Sequence, residues 1–359
     1  MLRNNYSIVI PSYTVGTEAY SHIQEFCAEC GTKAVVIGGH KAMAAARTKL
    51  EASTSEGPVT ITDFVHYGDE ASYECAKVLE DTPSVRDADM IFAVGGGKAV
   101  DTAKLVAIHL GKPFFTFPTI ASNCAAASSV AIIYNPDGTF REFVHYVHTA
   151  RHIFIDTQII AEAPPEYMWA GIGDTYAKYY EVSISTRGEE LPHYMSTGVH
   201  LSQLCMEPLL KYGSKALEDN RSDIASDELS ECALTIIITT GWVSMLVARN
   251  HNMDYNGGVA HAMFYALCRL PGFEQNNLHG AAVGFGVLLQ LLIDGDTAEC
   301  ERLRAFNKSI GLPTSLKEIG VTLDDLASVA THIIDDEDVR HFPYQLTKDK
   351  IIEAARALQ

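Results

Sequence analysis

Positively charged residues are scarce in this sequence, which has 27 Lys and Arg against 45 Asp and Glu and a formal net charge of −18 at pH 7. Such a surface repels phosphate backbones and anionic membranes, so we expect no nucleic-acid partner. Long hydrophobic runs are also lacking. The uncharged, largely apolar stretch at residues 232–248 includes Thr, Gly, Trp and Ser and is too short to cross a bilayer comfortably. It is expected to form a buried helix, and we expect no membrane association.

The cysteine pattern of a secreted or zinc-ribbon domain is missing as well. The eight cysteines are scattered, and the N-terminal segment MLRNNYSIVIPSY has no long apolar stretch typical of a signal peptide. We therefore expect reduced thiols and a cytoplasmic protein. Cys27 and Cys30 form a CxxC pair, but no second pair follows at zinc-ribbon spacing, so they are expected to be small helix residues rather than a redox or metal site.

The first 160 residues alternate short apolar runs with longer helical patterns. Strands are predicted for SIVIPSY, AVVIGG, VTITDFV, DMIFAVGGG and FFTFPT, which are rich in β-branched or aromatic residues and, in all but VTITDFV, contain or end in Gly or Pro. Helices are predicted between them, in YSHIQEFCAEC, KAMAAARTKLE, ASYECAKVLED and KAVDTAKLVAIHL. This alternation predicts an α/β fold with a doubly wound, mainly parallel sheet.

The alternation ends in a predicted hairpin. In VAIIYNPDGTFREFVHY (residues 130–146), NPDG forms a turn between two β-like runs, and HIFID is a further strand. From Pro164 and Pro165 onward only helical patterns remain. The sequence thus predicts an α/β domain over residues 1–160 and an all-helical domain over residues 161–359, with an active site in a cleft between them.

A glycine-rich segment, VGGGKAVD at residues 94–101, follows a predicted strand and begins a predicted helix. Glycines let backbone N–H groups approach an anion, and the helix N-terminus adds partial positive charge. The segment matches neither GxGxxG nor GxxxxGK[ST], so a simple tight turn explains it equally well. Its place at the carboxyl end of a strand, where open α/β sheets bind ligands, favours a phosphate site.

Three residues of the helical half have the chemistry of metal ligands. Asp174 lies in GIGDT, His261 in an apolar helix that Pro271-Gly272 should end, and His279 just before the apolar helix AAVGFGVLLQLLI. A helix N-terminus favours the neutral imidazole that binds metals. Two imidazoles and one carboxylate leave a coordination position open, as in catalytic zinc sites, and they also suit Fe(II). The spacing alone leaves a helix-capping Asp174 and buried core histidines as alternatives.

Five segments carry a resemblance to a known family: GGGKAVDTAK, FPTIAS, AGIGDTYAKYYE, GVAHAMFYAL and NNLHGAAVGFG. In this order they cover nearly the whole chain and resemble the glycerol dehydrogenase branch of the iron-containing (group III) alcohol dehydrogenases. The resemblance implies a dehydroquinate synthase-like architecture, with a dinucleotide-binding N-terminal domain, an all-helical C-terminal domain and a metal in the cleft. It also implies a homo-oligomer.

The resemblance also implies the residues of each site. Asp174, His261 and His279 would be the metal ligands. The dinucleotide would be lined by Gly95, Gly96, Gly97, Lys98, Asp101, Thr119, Ser122, Ser128, Val130 and Tyr134. The iron-dependent branch adds a His four residues after the ligand Asp, where this chain has Lys178, so zinc is favoured over iron. The metal would act as a Lewis acid on the substrate oxygen while hydride passes to or from the nicotinamide.

Cys124 departs from the glycerol dehydrogenase pattern, in which an Asp at this position binds the polyol hydroxyls. A thiol accepts hydrogen bonds poorly, and losing the carboxylate removes repulsion toward an anionic substrate. The combination of Cys124, the segment GIGDTYAKYYE and His341-Phe342-Pro343 resembles the hydroxycarboxylate dehydrogenases of this superfamily, which interconvert 2-oxo and 2-hydroxy acids. We therefore expect an NAD(P)-linked enzyme acting on a small 2-oxo acid. Glycerol or another small polyol is the alternative, with Cys124 as a packing residue.

Gly39 is a second departure, because glycerol dehydrogenases tend to have an Asp there that binds the adenosine ribose. Gly39 followed by His40 and Lys41 can accommodate a 2′-phosphate, which favours NADP(H), whereas a simple turn with solvated side chains favours neither cofactor.

Three more distant functions are disfavoured by single features. Few basic residues in the helical motifs argue against a polyol-phosphate dehydrogenase. The glycine-rich loop argues against a metallohydrolase, and the intact Asp174, His261 and His279 argue against a non-catalytic nucleotide-binding protein.

Overall fold

The structure, a computed structural model, describes residues 7–248 and 255–359. These residues form two units. The first contains residues 7–164 and 218–242, and the second contains residues 165–217 and the described residues from 243 onward.

Strands and helices alternate through the first part of the chain. In order they are β1 (Ser12–Val15), α1 (Ile23–Cys27), β2 (Lys33–Gly38), α2 (His40–Ser53), β3 (Thr60–His66), α3 (Tyr73–Asp81), α4 (Pro83–Asp87), β4 (Met90–Gly95), α5 (Gly97–His109), β5 (Phe114–Pro118), β6 (Val130–Tyr134), β7 (Phe140–His145), β8 (His152–Ile155) and α6 (Thr157–Ala161).

Six of these strands form one parallel sheet in the order β1-β8-β5-β4-β2-β3, and β6 and β7 form a separate antiparallel pair. The doubly wound sheet and the hairpin are therefore confirmed. Every residue of β4 and β5 is buried, as expected for central parallel strands covered on both faces. Aromatic rings from β4, β5 and β8 pack together in the core of this unit, among them Phe92, Phe117 and Phe154.

Two predicted elements differ from the structure. The predicted strand over residues 7–13 begins only at Ser12, because Pro11 has no N–H to donate to a sheet ladder. The single helix predicted over residues 20–30 is broken into α1 and flanking 3₁₀ turns, Ala19–His22 and Ala28–Cys30. Cys27 is buried at the end of α1, and burial raises the pKa of its thiol, which disfavours a reactive thiolate.

From residue 165 every regular element in the described chain is helical. The helices are α7 (Pro165–Ser185), α8 (His193–Ser202), α9 (Glu207–Asn220), α10 (Asp227–Leu234), α11 (Thr240–Leu246), α12 (Val259–Leu267), α13 (Phe273–Asn276), α14 (His279–Asp294), α15 (Thr297–Ile310), α16 (Leu323–Ile334) and α17 (Lys348–Arg356), with a π-helical turn at Thr235–Thr239. Short 3₁₀ turns lie at Gln203–Cys205, Leu316–Ile319 and Glu337–Val339.

Residues 218–242 return to the α/β unit, although their sequence is helical. The side-chain amide of Asn220 donates to the carbonyl oxygens of Ala161 and Ala163, at 2.7 and 2.9 Å. It thereby satisfies acceptors at the end of α6 that the helix itself leaves open. This buried contact holds the returning segment against the end of the α/β fold.

One helical run in the described chain, Asp227–Leu246, is long and apolar enough to cross a membrane by length and composition alone. In the structure 61% of its apolar window is buried within the protein, and core helices commonly pass the same test. As expected, most residues of the 232–248 stretch are buried, and they lie in α10, the π-helical turn and α11.

Candidate functional site

The glycine-rich segment lies at a turn between the carboxyl end of β4 and the start of α5. Gly95 has φ of +143°, which favours glycine, and Gly96 is the residue before α5. A Cβ added at Gly96 would lie 2.6 Å from Cδ1 of Ile120, and one at Gly97 would lie 3.0 Å from the amide nitrogen of Asn123. A larger residue at Gly96 or Gly97 would require the end of the Ile120 or Asn123 side chain to shift. The N–H groups of the turn lie at a helix N-terminus suited to bind phosphate.

This turn borders the point where the strand order reverses. The chain runs outward from β2 to β3 and then returns to place β4 on the other side of β2. Gly95 lies close to Gly39 at the end of β2, since a Cβ added at Gly95 would be 4.0 Å from the Gly39 nitrogen. A crevice at such a switch point is where doubly wound sheets bind nucleotides. The geometry thus fits a dinucleotide in the α/β unit.

Several residues that the resemblance places at the dinucleotide do lie around this turn. Nζ of Lys98 is 2.6 Å from a carboxylate oxygen of Glu70 and 5.1 Å from the centre of the Tyr134 ring. The N–H of Thr119 donates to the carbonyl of Gly95, and the Ser128 hydroxyl donates to the carbonyl of Val130. Ser122 accepts a hydrogen bond from the amide of Asn123.

Asp101 has a different environment, because its carboxylate is directed into the protein. It is 4% exposed, and its two oxygens accept hydrogen bonds from Nζ of Lys104 and from the N–H of Ile132. Lys104 is fully buried and also donates to the carbonyls of Ala125 and Val130. This ion pair fixes residues 125–132 against α5. The sequence analysis did not identify Lys104, although its place three residues after Asp101 on the same helix was a signal for it.

Cys124 lies in a compact turn beside the glycine-rich segment. Its carbonyl accepts hydrogen bonds from the N–H groups of Ala127 and Ser128, each at 3.0 Å. The preceding residue, Asn123, caps this turn through a bond from the Ala125 N–H and lies against Gly97. Cys124 is thus held next to the N-terminus of α5, in a partly exposed position.

The three candidate metal ligands come together within the helical unit. Asp174 lies in the middle of the 21-residue helix α7, so it does not cap a helix. His261 is the third residue of α12, and His279 is the first residue of α14. Their ligand atoms lie within 4.8 Å of one another. The helix that carries His261 ends at Leu267, four residues before the predicted stop at Pro271.

Small residues allow the helices that carry Asp174 and His279 to approach closely. A Cβ added at Gly173 would lie 2.2 Å from the carbonyl oxygen of Gly280, and one at Gly280 would lie 2.0 Å from that of Ala170. Backbone atoms cannot give way as a flexible side chain can, so any larger residue would separate α7 from α14. The glycines in AGIGD and HGAAVGFG therefore set the distance between Asp174 and His279.

The donor set and its spacing fit a tetrahedral metal. The Nε2 atoms of His261 and His279 each lie 3.4 Å from Oδ1 of Asp174. In a tetrahedral zinc site with bonds of about 2.0–2.1 Å, neighbouring ligand atoms are about 3.3–3.4 Å apart. His279 is the most exposed of the three, at 43% of its side chain, against 13% for His261 and 17% for Asp174. The cluster of three ligand side chains is therefore accessible from solvent on the side of His279.

The carboxylates dominate the electrostatics of this cluster. Burial alone would raise the pKa of Asp174, but hydrogen bonds and charge from His261 and His279 hold it well below its usual range. Burial alone would lower the pKa of His261, whereas the carboxylates of Glu181 and Asp174 raise it to about 10. A metal ion binding at Nε2 would displace that proton, because only a neutral imidazole can be a ligand.

Two buried charged residues of α7 hold the segment that leads into α12. Glu181 accepts hydrogen bonds from the N–H of His261 at 3.0 Å and from its Nδ1 at 2.7 Å. Lys178 donates to the carbonyl of Asn256 at 2.6 Å and to its side-chain oxygen at 3.2 Å. Lys178, which stands where the iron-dependent branch has a fourth ligand, is therefore engaged with the backbone before α12.

Sequence reasoning missed Glu181, although it lies seven residues after Asp174 on the same helix face, inside one of the quoted segments. Two aromatic contacts lie beside these residues. The Tyr265 ring centre lies 6.1 Å from that of His261, and the His341 ring centre lies 4.3 Å from that of Tyr255.

Comparisons with known proteins agree with this geometry. Residues 14–164 match the family described as iron-containing alcohol dehydrogenase. The chain is 30% identical over 348 residues to hydroxycarboxylate dehydrogenase A of Escherichia coli strain K12, covering 95% of this chain and 93% of the relative. It is 33% identical over 286 residues to a glycerol dehydrogenase of Thermotoga maritima, covering 76% and 74%.

The fold has a similar counterpart among solved structures. The crystal structure of glycerol dehydrogenase from Schizosaccharomyces pombe superposes with a TM-score of 0.85 at 27% identity, covering 99% of this chain and 90% of that one. The identity and coverage of these relatives, together with the parallel sheet and helical unit, establish the family. The chain belongs to the iron-containing alcohol dehydrogenases, in their glycerol dehydrogenase-like branch, and is an NAD-linked dehydrogenase.

Proposed function

We propose that this dehydrogenase reduces a small 2-oxo acid to its 2-hydroxy acid, and catalyses the reverse reaction, with a divalent metal held by Asp174, His261 and His279. The observation that carries the metal assignment is the convergence of two imidazole nitrogens on one carboxylate oxygen, each at 3.4 Å. A dehydrogenase needs both this site and the glycine-rich turn, so a metallohydrolase and a non-catalytic nucleotide-binding protein are no longer supported.

The three side chains would hold the metal, and zinc is favoured over iron. The two distances of 3.4 Å from Oδ1 of Asp174 match a tetrahedral zinc site and support zinc. The hydrogen bond from Lys178 to Asn256 supports it too, because Lys178 occupies the position of a fourth imidazole ligand. When bound, the metal would supply Lewis acidity toward the substrate oxygen, and the nicotinamide would exchange the hydride. The chain itself orients the imidazoles and keeps the carboxylate of Asp174 ionised.

The dinucleotide would lie along the glycine-rich turn, with Gly95, Gly96, Gly97 and the N-terminus of α5 at its pyrophosphate. The residues that would line it further are Lys98, Thr119, Ser122, Ser128, Val130 and Tyr134. Asp101 would contribute by holding the segment that carries Ser128 and Val130 through its hydrogen bond from Ile132.

Cys124 supports a 2-oxo acid as the substrate, because it leaves the site without the carboxylate that would bind polyol hydroxyls and repel a substrate carboxylate. The similarity to hydroxycarboxylate dehydrogenase A points the same way. The second candidate is glycerol or another small polyol. It is favoured by the glycerol dehydrogenases among the relatives and solved structures.

Initial rates at 340 nm test the proposal on the zinc-loaded wild-type protein. We expect NAD(P)H oxidation with 2-oxobutanoate or 2-oxoglutarate to be faster, in kcat/KM, than reduction of the oxidised cofactor with glycerol. A preference for glycerol would replace the 2-oxo acid assignment with the second candidate.

We further propose that NADP(H) is preferred, because the end of β2 offers room and basic groups for a 2′-phosphate. Gly39 is followed by His40, whose imidazole stacks on that of His66 with ring centres 3.9 Å apart. A Cβ added at Gly39 would meet only the Tyr67 ring, at an ordinary 3.6 Å. Lys41 adds a positive charge in the first turn of α2.

Gly39→Asp is expected to shift the preference toward NADH. The new side chain fits beside Tyr67, and Asp is a favourable residue before a helix, so stability should be retained. Its carboxylate would repel a 2′-phosphate and bind a ribose hydroxyl, lowering the ratio of kcat/KM for NADPH over NADH on the order of tenfold. Gly39→Asn is the matched control, since it adds the same volume without charge. An unchanged ratio in Gly39→Asp would mean that the 2′ position lies elsewhere.

The proposal includes a cytoplasmic location and a homo-oligomer. The six thiols of Cys27, Cys30, Cys75, Cys232, Cys268 and Cys300 are free, which supports a reducing compartment. The oligomer is implied by the resemblance to the family.

A further inference from the structure

Glu181 is a fully buried carboxylate whose two oxygens both bind the same residue of another helix. One oxygen accepts the backbone N–H of His261 at 3.0 Å, and the other lies 2.7 Å from Nδ1 of its ring. The side chain of Glu181 has no exposed surface. Burying a carboxylate costs free energy unless strong hydrogen bonds compensate it, and here the two bonds from His261 supply that compensation.

The bond to the ring determines which nitrogen of His261 can bind a metal. A carboxylate only accepts hydrogen bonds, so Nδ1 must carry a proton when Glu181 is ionised. In a neutral imidazole the lone pair is then on Nε2, the atom that lies 3.4 Å from Oδ1 of Asp174. The bond to the backbone fixes the start of α12 at the same time, so the ring and its helix are held by one side chain.

The sequence around Glu181 and His261 is built for this contact. A Cβ added at Gly258 would lie 2.9 Å from Cγ of Glu181, so a larger residue would push the carboxylate away. A Cβ at Gly257 would lie 2.1 Å from Cγ of Asp338, a carboxyl group whose pKa burial raises to about 7. The side chains of Glu181 and Gln290 at Gly258, and of Asp338 at Gly257, therefore leave no room for a larger residue unless they move.

We propose that Glu181 is the positioning residue of the metal site: it fixes His261 in the Nδ1–H tautomer, aims Nε2 at Asp174, and adds the second negative charge that balances a divalent cation. This inference rests on the proposed metal role of Asp174, His261 and His279. Partners of this kind on ligand histidines strengthen metal binding by fixing the ring and raising its basicity.

Glu181→Gln tests the inference through metal affinity rather than turnover. The amide oxygen of Gln would accept the His261 N–H, which leaves the amide NH₂ facing Nδ1. That donor favours the tautomer with the proton on Nε2, which cannot bind metal. Metal-stripped protein is titrated with Co²⁺ in competition with a chromophoric chelator. We expect the Co²⁺ affinity to fall by roughly 10- to 100-fold and the visible absorption of bound Co²⁺ to change.

Two further variants separate positioning from general packing. Ser185→Ala removes a buried hydrogen bond of 2.8 Å from α7 to the carbonyl of Gly257, next to the same segment, without touching His261. It should lower the thermal midpoint yet leave the Co²⁺ affinity within about threefold of wild type. Glu181→Asp keeps the charge but is too short to make both bonds, and we expect an intermediate affinity. An equal loss in Ser185→Ala and Glu181→Gln would overturn the inference in favour of packing.

His261→Ala in the same titration distinguishes failure of this inference from failure of the metal site. If His261→Ala loses Co²⁺ binding while both Glu181 variants bind as wild type does, the site stands and the positioning role is refuted. If His261→Ala itself binds Co²⁺ with wild-type affinity, the proposed metal site is refuted and the role of Glu181 with it. NADH binding, measured by fluorescence, should be unchanged in every variant that folds.

Discussion

His261→Ala protein should purify folded, bind NADH as wild type does, and lack both bound metal and turnover. Removing the imidazole leaves one carboxylate and the half-exposed His279, too few protein ligands for a catalytic zinc site. Lewis-acid stabilisation contributes several kcal/mol, so we expect kcat/KM to fall at least about a thousandfold. Elemental analysis of the purified protein should show about one zinc per wild-type chain and a small fraction of that in the variant.

Controls for this prediction use the assignment of the two sites to different units. The glycine-rich turn belongs to the α/β unit and His261 to the helical unit, so NADH affinity reports the folding of the α/β unit, and the thermal midpoint is needed to report that of the helical unit. His200→Ala removes an exposed imidazole from helix α8, and it should retain metal and activity. Full turnover of His261→Ala, or of wild-type protein after exhaustive chelation with no metal detected, would refute the metal site.

The sheet could be predicted from sequence because local patterns determine it. Continuous apolar runs such as FAVG in β4, ended by glycine and followed by a helical pattern, occur in parallel strands covered on both faces. The turn NPDG likewise determines the hairpin of β6 and β7, whose ladder pairs Val130 with His145. The later start of β1 than predicted follows from the N–H that Pro11 lacks. The effect of this lack is seen only in the ladder that β1 forms with β8.

The metal ligands could be named only through the resemblance, since 87 and 18 residues separate them along the chain. Asp174 and His279 are brought together by the close crossing of α7 and α14 at Gly173 and Gly280, which is a tertiary property. The partners Glu181 and Lys104 escaped notice for different reasons. Lys104 pairs with Asp101 three residues earlier on the same helix, a spacing that the sequence shows. Glu181 binds His261 on another helix, so this contact is known only once the fold is.

The return of residues 218–242 to the α/β unit illustrates the same limit. Nothing in this helical segment distinguishes it from its neighbours in sequence. Its placement depends on the side chain of Asn220 meeting the carbonyls at the end of α6. Hydrogen bonds between residues about 60 apart carry no local signature.

Cys124→Asp is expected to reverse the balance between substrates. If the substrate carries a carboxylate near this position, an added negative charge would repel it by on the order of 1–4 kcal/mol for charges ~4 Å apart at effective dielectrics of 80 to 20. That predicts a fall in kcat/KM for 2-oxo acid reduction of roughly fivefold to several-hundredfold. The same carboxylate accepts hydrogen bonds from vicinal hydroxyls, so glycerol oxidation should rise or first be detected. Initial rates with both substrates and both cofactors measure the ratio.

Cys124→Asn isolates the charge in this experiment, because Asn has nearly the shape of Asp and no negative charge. The turn around Cys124 depends on backbone bonds from Ala127 and Ser128 and on the Asn123 side chain, so either substitution should leave the turn intact. If repulsion is the cause, Cys124→Asn should reduce 2-oxo acids nearly as well as wild type, and only Cys124→Asp should lose this activity. Equal losses in the two variants would make Cys124 a packing residue, and the carboxylate of the substrate would have to lie elsewhere in the site.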